Sequence, residues 1–134
     1  MTFFQYLKLY GFTLAAFFLI DMVWLGLVAK SFYRKHLGFL MRPKVNWIAA
    51  LLFYCAFIVG ILIFAVLPAR QAGSLMKAVI LGALFGFFTY ATYDMTNLAT
   101  IKDWPMIVVV VDILWGMVLS GSVATLGYVA GGWI

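Results

Sequence analysis

The chain has 134 residues, of which 67% are hydrophobic and only 10% charged, and its mean hydropathy is +1.13. A soluble domain needs about a quarter of its residues charged to cover its surface, so this composition excludes an ordinary soluble protein. The net charge is +5, but the basic residues lie at the ends of apolar runs, as membrane topology requires. We therefore expect membrane lipids as partners and no nucleic acid, and the sequence leaves a homo-oligomer open.

Four apolar runs are long enough to cross a bilayer, which takes about 20 residues in a helix. They cover approximately residues 9–29, 47–67, 77–99 and 106–129. The connections contain Pro43, then Pro68 with Gly73, and finally Pro105, all of which favour breaks between helices. Because the last two connections are short, the helices on either side of each should be antiparallel neighbours. The sequence therefore predicts an all-α integral membrane protein, a single domain with four transmembrane helices in an up-and-down bundle.

Basic residues are concentrated in the first connection, which contains Lys30, Arg34, Lys35, Arg42 and Lys44. Since basic connections remain in the cytoplasm, we expect both termini on the non-cytoplasmic side. Apolar residues such as Phe32 and Tyr33 alternate with the basic ones. This segment is therefore either a short helix in the membrane interface or a basic linker.

Three of the four acidic residues, Asp21, Asp94 and Asp112, lie inside the predicted spans. Counting along the helices places each of them about 8–12 Å from a span end, always on the side of the basic connection. Tyr54 of the second span reaches a similar depth. A charged side chain at the centre of a bilayer costs about 2.5–3.5 kcal/mol, so this layer needs compensation. Protonation, a cation from Lys30, Arg34 or a metal ion, or a polar ligand or water would each supply it.

Polar residues on the third predicted span follow helical spacing, with Tyr90, Tyr93, Asp94 and Asn97 on one face. In "DMVWLG" and "DILWG" a tryptophan follows an aspartate by three residues. The candidate ligand-binding or proton-relay residues are Asp21, Trp24, Arg34, Tyr54, Tyr90, Tyr93, Asp94, Asn97, Asp112 and Trp115. The alternative is a purely structural cluster, because polar side chains also join membrane helices, at about 0.6 kcal/mol per hydrogen bond.

The segments "DMVWLG", "FYRKHLG", "YATYDMTNLAT", "DWP" and "VDILWG" together resemble a family of small bacterial predicted membrane proteins catalogued as domain of unknown function 2177. The most specific part is the run containing Tyr93, Asp94, Thr96 and Asn97. The resemblance covers nearly the whole chain and implies a bacterial inner-membrane protein with four helices. It implies no activity.

No catalytic signature accompanies these residues: the chain has no Ser/His/Asp arrangement, phosphate-binding glycine loop or zinc motif. Catalytic residues and cofactors therefore stay unknown, and no metal site is predicted. The leading hypothesis is a membrane protein that binds a lipid-like, amphipathic or cationic small ligand. The alternatives are an intramembrane enzyme that modifies a lipid or isoprenoid, a proton- or cation-coupled transporter, and a structural subunit of a membrane complex.

Overall fold

The structure, a computed structural model, covers residues 1–134 and contains helices but no strands. The helices are α1 (Phe3–Val28), α2 (Lys30–Leu37), α3 (Trp47–Ala72), α4 (Leu75–Thr100) and α5 (Met106–Trp133). All except α2 are long and apolar enough to cross a membrane. The predicted all-α fold with four spans is therefore confirmed.

The helix ends differ from the predicted ones for local reasons. Helix α1 begins at Phe3 instead of near residue 9, because Thr2 and Gln5 form a capping box that satisfies the first N–H groups. Helix α3 continues to Ala72 because Pro68 does not break it. A π-helical turn, Leu62–Val66, interrupts the regular helix within α3. Pro68 lies in the first turn of the α-helical segment that follows, Leu67–Ala72, where its missing N–H is not needed. Helix α5 likewise extends to Trp133 instead of stopping near residue 129.

The four spans form a closed ring in which α1 packs on α3, α3 on α4, α4 on α5 and α5 on α1. The largest buried side chains at its centre are Phe17, Leu9, Ile58, Ile61 and Leu119. Helices α4 and α5 approach most closely, because Gly82 and Gly86 face the backbone of α5. The four-residue spacing of these glycines is typical of tightly packed membrane helices.

Helix α2 lies across one end of the ring and has two different faces. A turn of 3.6 residues puts Phe32, Tyr33, His36 and Leu37 on one side, which we call the inner face. Three of these residues, Phe32, Tyr33 and Leu37, pack against the small cluster formed by Trp104, Val108 and Val109. The opposite side, the outer face, consists of Lys30, Ser31, Arg34 and Lys35. The segment is therefore an amphipathic helix docked on the bundle, and not an unstructured linker.

Candidate functional site

Three carboxylates lie inside the bundle near the end covered by α2. Asp21 of α1, Asp94 of α4 and Asp112 of α5 have exposed fractions of 5%, 0% and 6%. Each belongs to a different span, so their proximity depends on the packing of the ring. Because all three are almost entirely buried, the groups around each carboxylate decide what it can bind.

Asp112 accepts a hydrogen bond from α2. The hydroxyl of Tyr33 donates to Asp112 Oδ1 and accepts from the indole Nε1 of Trp24 at 3.3 Å. Burial of the phenol, together with its hydrogen bond to Asp112, raises the pKa of Tyr33 above its ordinary value. Tyr33 therefore stays a neutral O–H donor at physiological pH, and it ties the inner face of α2 to the bundle.

Asp21 accepts a hydrogen bond from a tryptophan of the neighbouring helix α5. Trp115 Nε1 donates to Asp21 Oδ1 at 3.3 Å, and the Trp115 ring stacks on Trp24 with centroids 4.4 Å apart and planes 10° from parallel. The two Asp-x-x-Trp pairs thus exchange partners: the tryptophan after Asp112 serves Asp21, and the tryptophan after Asp21 serves Asp112 through Tyr33. The same spacing on α1 and α5 thus places each tryptophan beside the aspartate of the other helix or its hydrogen-bond donor.

Asp94 differs from the other two because neither of its carboxylate oxygens has a hydrogen-bond partner. Its polar neighbours are the carboxylate of Asp112 and the indole of Trp104. Trp104 is also buried, and its Nε1 has no acceptor. The site therefore combines a carboxylate pair, Asp94 and Asp112, with an unused N–H donor at its edge. An unpaired buried carboxylate is costly, so this pair is the part of the cluster that a ligand can satisfy.

A family model for DUF2177, described as a predicted membrane protein, matches residues 6–129. The chain belongs to this family. The resemblance stated from the sequence is therefore confirmed. No curated protein and no solved structure matches the chain. The description of the DUF2177 family names a membrane protein and gives no activity, so the geometry of the site is the guide to function.

In this DUF2177 chain two tyrosines connect the carboxylates. Tyr90 of α4 is close enough to Asp21, Asp94 and Asp112 to interact electrostatically with all of them. Tyr54 of α3 lies beside Asp21 and packs on Phe17 with ring centroids 5.4 Å apart. The tyrosines therefore lie between the Asp21 side and the Asp94–Asp112 side of the cluster. No group of three His, Cys, Asp or Glu side chains is close enough to hold a metal ion.

The remaining candidates lie outside this cluster. Tyr93 is 54% exposed and packs edge-on against Trp104, at 5.8 Å between ring centroids. Asn97 is partly buried near the end of α4. Arg34 and Lys30 are exposed on the outer face of α2. Neither cation therefore compensates the negative charge of the buried carboxylates, which the sequence had allowed.

Two site residues of the DUF2177 chain escaped the sequence analysis. Tyr33 belongs to the segment for which the sequence allows either an interfacial helix or a basic linker, and Trp104 is a tryptophan near a helix end, a position typical of interface residues. The useful signal for Tyr33 was its place on one face of α2 with Phe32 and Leu37, which predicts docking of that face. For Trp104 the sequence offers no comparable signal, because its burial depends on the turn before Pro105.

Proposed function

We propose that the chain binds the cationic, hydrogen-bond-donating group of an amphipathic molecule at the Asp94–Asp112 pair. The observation that carries this proposal is the fully buried Asp94 carboxylate, which has no hydrogen-bond partner and lies beside a second carboxylate. An ammonium group brings one positive charge and three N–H donors. It would therefore neutralise one of the two carboxylates and donate to the unused acceptors of Asp94.

The charge of the pair favours a cation over an anion as the ligand. Asp94 and Asp112 are adjacent carboxylates, and an anion would add a further negative charge beside them. Asp21 and Asp112 each already accept a hydrogen bond from a neutral donor, whereas Asp94 does not. Asp94 is accordingly the carboxylate that we assign to the ligand.

An amphipathic ligand fits the depth of the site. Asp94 lies in α4, which ends at Thr100, so the carboxylate is about 9 Å inside the end of the helix. A molecule with its cationic group at this depth would keep an apolar tail alongside the spans. Because α2 covers this end of the ring through Tyr33, we propose that the ligand enters as α2 moves away from the bundle.

We also propose that α2 faces the cytoplasm and that the chain resides in a bacterial inner membrane. The support is the basic first connection, which carries more Lys and Arg than any other connection. Alkaline phosphatase fused after Ile134 should therefore be active, and a green fluorescent protein fused there should be dark. The same reporters placed after Arg42 should give the opposite pattern. A fluorescent fusion at Ile134 would reverse the proposed topology.

Ligand selectivity can be measured with simple amphiphiles. We expect purified protein in phosphatidylcholine nanodiscs to bind labelled dodecylammonium saturably, above the background of protein-free nanodiscs. Dodecanol has the same tail without the charge, so its binding should show no saturable component. Dodecyltrimethylammonium keeps the charge but lacks N–H donors and should bind more weakly than dodecylammonium. Equal, unsaturable uptake of all three amphiphiles would contradict the proposed function.

A further inference from the structure

The outer face of α2 borders a groove that is separate from the carboxylate cluster. This groove is open, has a volume of about 550 Å³, and is lined by Gly26, Leu27, Lys30, Ser31, Arg34 and Lys35. Lys30 and Arg34 are four residues apart and therefore project from the same side of α2. Gly26 leaves its side of the groove empty, since a Cβ atom there would have no neighbour within 4 Å.

The charge of this groove has no counter-charge in the chain. Its lining includes three basic side chains and no acidic one. Asp21, Asp94 and Asp112 are buried in the bundle, and Asp103 lies in the connection between α4 and α5. The groove therefore presents a concentrated positive potential that favours an anion.

Apolar residues at the edge of the groove place it at the membrane surface. Leu27 is 82% exposed and Val28 61% exposed in the last turn of α1, at the point where the span gives way to the basic α2. Lipid phosphates occupy this level of a bilayer, between the hydrocarbon and the aqueous phase. A ligand for the groove should accordingly combine an anionic group with an apolar tail.

We propose that this groove binds the phosphate of an anionic phospholipid, with Arg34 and Lys30 as its main partners. A guanidinium can hold a phosphate through two parallel hydrogen bonds, and a lysine adds a point charge. Ser31 supplies a hydroxyl donor between them. The inference goes beyond the proposed function, because the groove lies on the face of α2 opposite to Tyr33 and contains no carboxylate.

The test uses the full-length protein in phosphatidylcholine nanodiscs that contain increasing fractions of phosphatidylglycerol. Native mass spectrometry then counts the phosphatidylglycerol molecules retained by the protein. We expect the double variant Lys30→Gln/Arg34→Gln to retain phosphatidylglycerol at least about tenfold more weakly, since each cation near a membrane surface contributes measurably to anionic lipid binding. The matched control is Arg42→Gln/Lys44→Gln, which removes the same charge from the same connection but lies outside the groove.

The control should change retention less than about threefold, because it loses only the general attraction to anionic lipid. An equal loss of phosphatidylglycerol retention in both double variants would contradict a specific lipid site in the groove. Displacement of the lipid by millimolar inorganic phosphate would overturn the assignment to a phospholipid and indicate a free phosphate site. Melting curves check folding, and Arg34→Gln alone provides a milder variant if the double variant melts early. Dodecylammonium binding should be unchanged in these variants, so this test fails or succeeds independently of the Asp94–Asp112 site.

Discussion

Gly86→Ala should lower the free energy of unfolding by about 1–3 kcal/mol, the cost of overpacking a well-packed interior. A Cβ atom at position 86 would lie 2.0 Å from the carbonyl oxygen of Gly116 and 2.8 Å from the hydroxyl oxygen of Ser120. The first of these atoms belongs to the backbone of α5 and cannot rotate away. Helices α4 and α5 would have to separate, and both carry members of the carboxylate pair.

The measurement is unfolding in dodecyl maltoside micelles titrated with sodium dodecyl sulfate, followed by circular dichroism. Gly11→Ala is the matched control, because it adds the same methyl group to α1 at a position where a Cβ atom has no neighbour within 4 Å. Alanine is the better helix former, by about 1 kcal/mol in water, so this control should be neutral or stabilising. Equal stabilities of the two variants would contradict the close approach of α4 and α5.

The four-helix bundle could be predicted from the sequence because lipid imposes a simple rule. A span must be a long apolar helix, and four such runs are visible in the sequence. The ends of the helices were harder to predict, because a hydropathy pattern places polar residues outside a span even where they belong to the first turn of the helix. Gln5 is an example: it is polar, but its side chain completes the capping box of α1. Pro68 is a second example: the sequence predicts a break there, but the proline lies in the first turn of the α-helical segment after the π-helical turn of α3 and does not end the span.

Residue counting predicts a common level for the carboxylates along their helices, but it does not predict their hydrogen bonds. Counting residues at 1.5 Å each predicts one level for Asp21, Asp94 and Asp112, and the structure places all three near the end covered by α2. Their donors depend on which helices are neighbours. Tyr33 approaches from outside the spans because α2 folds back onto α5, a long-range contact that periodicity along one helix does not reveal.

The burial of Trp104 is a second feature that the sequence pattern does not predict, and here the cause is a turn. The connection between α4 and α5 is short, and Asp103 adopts a left-handed backbone conformation with φ 61° within it. Trp104 follows directly and is buried next to Asp94. Tryptophans near span ends ordinarily lie in the interface, so the type and position of this residue favoured exposure to lipid. The backbone of the turn determines the direction of the indole, and a single sequence does not specify it.

Asp94→Asn should abolish most ligand binding while leaving the bundle intact. Asparagine has nearly the shape of aspartate but no charge, so the variant keeps the packing of α4 and loses its attraction for a cation. The amide of asparagine also stays next to Asp112 and the Trp104 indole, the two polar neighbours of Asp94. The substitution removes a buried carboxylate beside Asp112, so thermal stability should be unchanged or higher.

Dodecylammonium binding to Asp94→Asn in phosphatidylcholine nanodiscs should be weaker by about 10–100-fold, which corresponds to the loss of a charge-assisted hydrogen bond worth about 1.5–3 kcal/mol. Binding to the wild type should also weaken as the pH is lowered, because protons and the ammonium group compete for the same oxygens. The variant should show less of this pH dependence. The control is Asp103→Asn, which makes the same chemical change in an exposed turn whose left-handed backbone asparagine tolerates. If a well-folded Asp94→Asn protein binds as tightly as the control at both pH values, the carboxylate cluster only joins helices, and its role is structural.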